Sequence, residues 1–127
     1  DQVVFLRHGW CLEAKLIRQV PPGLLRDAEE LDQNEAWLDC DLLELPLNIR
    51  GRRAGDRWQP LGMRNHTQKL KDFFINEKIP EHLRDVWPLV FSGEEIAWVV
   101  GLRPSEVYKI REDTNQILHL RLVRKAV

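Results

Sequence analysis

The chain has 127 residues, is 43% hydrophobic and 31% charged, and carries a net charge of −1. This composition fits a globular chain of about one domain's length and argues against a disordered or membrane-spanning one. Total charge implies no partner, and two isolated cysteines, Cys11 and Cys40, argue against a disulfide framework or a cysteine zinc site and suit a reducing, cytoplasmic setting.

Residues 3–6 are apolar and read as a short strand. Trp10, Leu12, Ala14 and Leu16 alternate with Cys11, Glu13, Lys15 and Ile17, which predicts a second strand. Val20-Pro21-Pro22-Gly23 breaks it. Residues 24–47 hold eight acids and one base, with a short strand expected at 36–38. Residues 48–72 hold seven bases and two acids. In that block a strand at 47–53 should run into a turn at Ala54-Gly55-Asp56. Thr67 is the expected N-cap of a helix whose apolar stripe is Leu70, Phe73 and Phe74. Ile79-Pro80 should stop that helix, and 82–86 should form a second short one. Residues 89–91 and 96–100 read as a hairpin about Ser92-Gly93. Leu118, Leu120 and Leu122 mark a last strand over 116–124.

The order predicts an α+β fold of mostly antiparallel strands with two short helices. The expectation is one compact unit over 1–127, with any boundary between 20 and 33. No apolar run reaches membrane-spanning length and no signal peptide leads the chain, so no membrane partner is expected. A first residue of Asp1 suggests a processed chain or a fragment.

Three chemistries compete. Arg7-His8-Gly9 is similar to the R-H-G of histidine phosphatases, with His8 as nucleophile, but no βαβ pattern follows. Asp39 and Asp41 would share a strand face as a carboxylate pair. No two histidines stand at metal-ligating spacing, and no phosphate-binding glycine loop occurs, so no metal or nucleotide site is expected in this chain. Four arginines (Arg50, Arg52, Arg53, Arg57) fall within eight positions and can offer planar forks to phosphate. The plain alternative is a structural or dimerisation module in which these arginines pair with the acidic segment. Trp58 is expected to be buried rather than to stack on a base.

Arg52-Arg53-Ala54-Gly55-Asp56-Arg57-Trp58-Gln59-Pro60-Leu61-Gly62 resembles the R-R-x-G-D-R-x-x-P-x-G signature near the C-terminus of bacterial tRNA(Ile)-lysidine synthetases. Lys69-Leu70-Lys71-Asp72-Phe73-Phe74, Lys78-Ile79-Pro80, Arg84-Asp85, Trp87-Pro88-Leu89-Val90 and the stretch 96–103 continue the likeness in order. It covers about 37–109, with 1–36 as an N-terminal strand and acidic connector.

The resemblance implies a tRNA-binding domain of a ligase that joins lysine to the wobble cytidine of tRNA(Ile). The partner would be tRNA(Ile), through its acceptor stem, together with the enzyme's own N-terminal catalytic domain; a homodimer is compatible. ATP and magnesium would belong to that catalytic domain, because this chain has no S-G-G-x-D-S loop. The chain alone should be non-catalytic. Arg50, Arg52, Arg53, Arg57, Arg64, Lys69, Lys71, Lys78 and Arg103 are the expected RNA contacts. Asp56 should fix the turn, Arg84 and Asp85 should form an ion pair, and Gly55 and Gly62 should take φ > 0.

Overall fold

The computed structural model describes residues 2–18 and 32–124. Its elements are β1 (Gln2–Phe5), a 3-10 turn (Arg7–Gly9), β2 (Trp10–Ile17), β3 (Glu35–Asp39), β4 (Asn48–Arg50), β5 (Arg57–Trp58), β6 (Gln68–Lys69), α1 (Leu70–Asn76), α2 (Glu81–Arg84), β7 (Leu89–Ser92), β8 (Glu95–Val99), β9 (Arg103–Pro104) and β10 (Ile117–Arg124). Every strand pair is antiparallel. The α+β class with two short helices is therefore the observed one. The break at 20–23 and the acidic stretch up to residue 31 lie outside the described residues.

The sequence reads as one unit, whereas the chain divides into two. One unit comprises residues up to 43 and from 108 onward; the other is 44–107. The cause is β10, which returns from the far end of the chain to lie between β2 and β3. Such a pairing leaves no local mark in a sequence.

In the first unit the strand order is β1-β2-β10-β3. Leu118 faces Leu16 and Leu38, and Leu120 faces Ala14 and Ala36, so the two-residue period gathers them on one face. On the other face His119 stacks on Trp37 at 3.6 Å between centroids and meets Glu35 Oε1 through Nε2 at 3.1 Å. Burial lowers the His119 pKa, against the opposing pull of Glu35. Arg121 pairs with Glu35 at 3.4 Å. Asp39 and Asp41 are not a free carboxylate pair. Asp39 accepts from Asp41 N and Thr114 Oγ1, and Asp41 accepts from Asn115 N and Gln116 N. Both are spent fixing the loop that enters β10. Their charge, after burial itself, raises the Cys40 thiol pKa.

In the second unit the sheet order is β4-β7-β8-β9, beside the short β5-β6 pair. Its core joins Trp58, Leu70, Phe73, Phe74, Ile79, Leu89, Phe91, Ile96 and Val99, with Leu83, Trp87 and Leu102 packed against it. Leu70, Phe73 and Phe74 are the buried residues of α1, as their i, i+3, i+4 spacing requires. Trp58 is 1% exposed and meets Phe73 edge-on at 5.0 Å, so it cannot stack on a base.

The start of α1 departs from expectation. Lys69, not Thr67, is the N-cap, and no side chain caps it. The end of α1 is a Schellman motif: Ile79 N donates to Phe74 O at 3.0 Å and Lys78 N to Ile75 O at 3.0 Å. Lys78 takes φ 59° there, the position glycine usually fills. Lys78→Gly is expected to stabilise the chain by about 0.5–1 kcal/mol, because the left-handed backbone strains a side-chain-bearing residue. Urea unfolding checks this; a lower midpoint would contradict it.

Strand β4 is shorter than the sequence suggests. A Cβ on Gly51 would lie 2.5 Å from Asp85 O, so the chain leaves the sheet where only glycine lets two backbones approach.

Candidate functional site

The basic block is organised by Asp56. Its Oδ2 accepts Arg53 N at 2.7 Å and Arg50 Nη1 at 3.4 Å, and its backbone N donates to Arg53 O at 3.1 Å. Its own carbonyl accepts Leu70 N at 3.0 Å, which ties the turn to the first residue of α1. Gly55 supplies φ 82° inside the turn, and Gly62 takes φ 96° in the loop between β5 and β6. Asp56 thus fixes the turn and orients Arg50.

Two of the nine expected contact residues are already engaged by partners within the fold. Arg50 also donates to Gly51 O at 2.8 Å, and its guanidinium lies 3.8 Å above the Phe91 ring; the side chain is 24% exposed. Arg52 donates Nε to Asp85 Oδ1 at 2.9 Å and is 22% exposed. This corrects the expected Arg84–Asp85 pair, since Arg84 donates instead to Ile79 O at 2.8 Å. Neither Asp56 nor Asp85 belongs to the 24–47 acidic segment, so among the described residues the partners of Arg50 and Arg52 come from elsewhere.

The other seven are exposed: Arg53, Arg57, Arg64, Lys69, Lys71, Lys78 and Arg103. The fold brings five of them into one neighbourhood. Arg57 and Lys69 face each other directly across the β5-β6 pair, while Trp58 turns into the core. Lys69 and Lys71 flank Leu70, onto which the Asp56 turn with Arg53 is tied. The Arg103 guanidinium lies 5.9 Å from the Phe73 ring, the same ring that Trp58 meets. Arg64 stands on the loop between β5 and β6. Lys78 sits past the far end of α1, roughly 13 Å along the chain axis from Lys69 at helical rise.

Like charges placed opposite one another in a sheet repel. Yet among the described residues neither Arg57 nor Lys69 pairs with a carboxylate. Arg57 is instead held by Thr67, donating Nε to Oγ1 at 3.1 Å and Nη2 to the backbone O at 3.2 Å. Sequence reasoning gave Thr67 the role of a helix cap instead, and missed β5 and β6, because two-residue strands are too short to show a period. An arrangement of exposed cations with no carboxylate partner among the described residues can bind a polyanion through its backbone phosphates.

His8 offers no comparable site. It is exposed in the 3-10 turn, at φ 60°, beside an antiparallel sheet rather than the α/β sheet a histidine phosphatase needs. Among the described residues no group of three or more His, Cys, Asp or Glu could hold a metal ion.

A family model described as the TilS substrate C-terminal domain matches residues 47–122. The match reaches into β10, further along the chain than the 37–109 core read from the motifs. The chain is 49% identical over 82 residues to the tRNA(Ile)-lysidine synthase of Caldanaerobacter subterraneus subsp. tengcongensis, covering 65% of this chain and 17% of that protein. It is 44% identical over 86 residues to the enzyme of that name from Clostridium tetani, covering 68% and 18%. With that from Dehalococcoides mccartyi it shares 38% over 112 residues, covering 88% and 23%. The chain thus spans less than a quarter of the length of each of these relatives. Its structure matches the crystal structure of a TilS C-terminal domain with a TM-score of 0.81 at 28% identity, over 99% of this chain and 92% of that one. An N-terminal fragment of the phenylalanyl-tRNA synthetase β-subunit from Pyrococcus horikoshii shares the fold alone, with a TM-score of 0.65 at 14% identity over 91% of this chain and 39% of that one.

Proposed function

This chain belongs to the family of TilS substrate C-terminal domains, and from that premise we propose that it grips and positions tRNA(Ile) for a lysidine synthetase. The whole enzyme would use ATP to join lysine to the wobble cytidine. ATP and magnesium would bind a catalytic domain outside this chain, which lacks the S-G-G-x-D-S loop. The chain's own part is binding, and its setting is the cytoplasm.

The observation that carries this reading is the cation group of Arg53, Arg57, Lys69, Lys71 and Arg103 around the 53–57 turn and the start of α1, which has no carboxylate partner among the described residues. Duplex RNA is recognised mainly by shape, phosphates and ribose hydroxyls, so an acceptor stem suits such a group. Holding the stem would reduce the orientational freedom of the anticodon at a distant catalytic centre. Arg64 and Lys78 extend the same contact along the RNA. Arg50 and Arg52 contribute positive potential and support rather than direct contact. No helix among the described residues is long and apolar enough to cross a membrane.

Titrating the chain with tRNA(Ile), an acceptor-stem minihelix and an anticodon stem-loop at several salt concentrations tests the reading. Contacts from these five cations to about four phosphates predict a slope of log K against log salt of about −4. The minihelix should keep most of the affinity and the anticodon stem-loop little of it. Absence of tRNA binding at low salt would favour the structural module, and sedimentation of the same sample decides between monomer and homodimer.

A further inference from the structure

Arg57 carries five N–H donors. Thr67 takes two of them, on the Nε–Nη2 edge, through its hydroxyl and its carbonyl. Three donors remain, on the outward edge of the fork. The loop that leads to Thr67 is tied at its start. Gln59 Nε2 donates to Met63 O, Leu61 N to Pro104 O, Gly62 N to Glu106 Oε1, and Glu106 N to Gln59 O. The β5-β6 register then sets Lys69 opposite Arg57, with Cβ atoms about 5 Å apart for a directly facing pair. The buried partner on the inward side, Trp58, fixes which way this strand presents its residues.

We propose that Arg57 and Lys69 together bind one phosphate of the RNA backbone, and that Thr67 is a positioning residue which holds the guanidinium edge toward it. This rests on the tRNA-binding reading above. Arg57 supplies planar, end-on hydrogen bonds and Lys69 a movable point charge. The bound phosphate removes the repulsion between the two cations. Because Thr67 has already fixed the guanidinium, less side-chain freedom is lost on binding. The arrangement explains why two facing cations persist with no carboxylate partner among the described residues.

The test measures tRNA(Ile) affinity of the whole chain at fixed salt. Thr67→Val keeps the shape and removes the hydroxyl; it should weaken binding about threefold to tenfold, and Thr67→Ser should restore it. In an Arg57→Ala background Thr67→Val should add nothing, and Arg57→Ala should lower the salt slope by about one. Arg57→Ala and Lys69→Ala combined should cost less than the product of their separate costs, since they share one phosphate. Inorganic phosphate at constant ionic strength should weaken tRNA binding by the parent more than by Arg57→Ala; an equal effect on both would count against a phosphate held by Arg57. If Thr67→Val binds as the parent does, or costs as much without Arg57, the positioning role is wrong. If Thr67→Val melts early, Arg57→Lys decides: it keeps the charge and loses the fork, and parental affinity there would overturn the proposal. Loss of affinity in these variants beside a parent that binds separates this claim from the broader reading, which fails only if the parent does not bind tRNA.

Discussion

Replacing Arg53, Arg57 and Lys69 together by alanine should lower tRNA affinity about 30- to 100-fold at moderate salt, at roughly 1–1.4 kcal/mol for each of two lost phosphates, since Arg57 and Lys69 share one. The salt slope should become shallower by about two. The melting temperature should hold or rise slightly. The three side chains are exposed, and Arg57 and Lys69 repel each other across the β5-β6 pair. The Arg53 link to Asp56 runs through the backbone and survives the substitution. A matched control is Arg52→Ala, which removes a cation whose partner Asp85 is already in place. That pair is partly solvated and worth little in stability. The control should therefore cost far less affinity than the triple variant. Fluorescence anisotropy against salt reads both. An equal loss in the control would mean that total charge, not the exposed group, drives binding.

Phe74→Ala should destabilise the 44–107 unit by about 3–5 kcal/mol, the usual cost of emptying a fully buried aromatic site. Phe74 is 0% exposed. It meets Phe73 and Trp87, each at 6.3 Å between centroids. It also supplies the carbonyl that accepts Ile79 N in the Schellman motif, with both residues in one core cluster. Against a typical domain stability of about 5–15 kcal/mol, that loss removes much of the margin. Urea unfolding should show a lower midpoint, and Phe74→Leu should recover most of it by refilling volume. A loss below about 1 kcal/mol would mean that the side chain is not enclosed as described. Lys69 and Lys71 flank the first residue of the same helix, so binding should fall with unfolding in Phe74→Ala but not in Phe74→Leu.

Periodicity within ten residues was readable without coordinates. The Leu70, Phe73, Phe74 stripe, the Leu118–Leu120–Leu122 alternation and the hairpin about Gly93 are each written in consecutive residues, and each formed. The ordered motif blocks from Arg52 to Arg103 carried the family likeness for the same reason: side-chain type and spacing are one-dimensional. Gly55, Gly62 and Asp56 took their expected roles because turn geometry is local.

What needed three dimensions was everything set by partners far apart in sequence. Whether an arginine is open to RNA or already engaged depends on which group arrives beside it. Asp85 reaches Arg52 from 33 positions away, and Phe91 lies beneath Arg50. Thr67 looks like a helix cap by type, yet the strand pairing hands its hydroxyl to Arg57. The division into two units follows from β10 closing onto strands a hundred residues earlier, a contact whose energy is real but whose trace in the linear chain is nil.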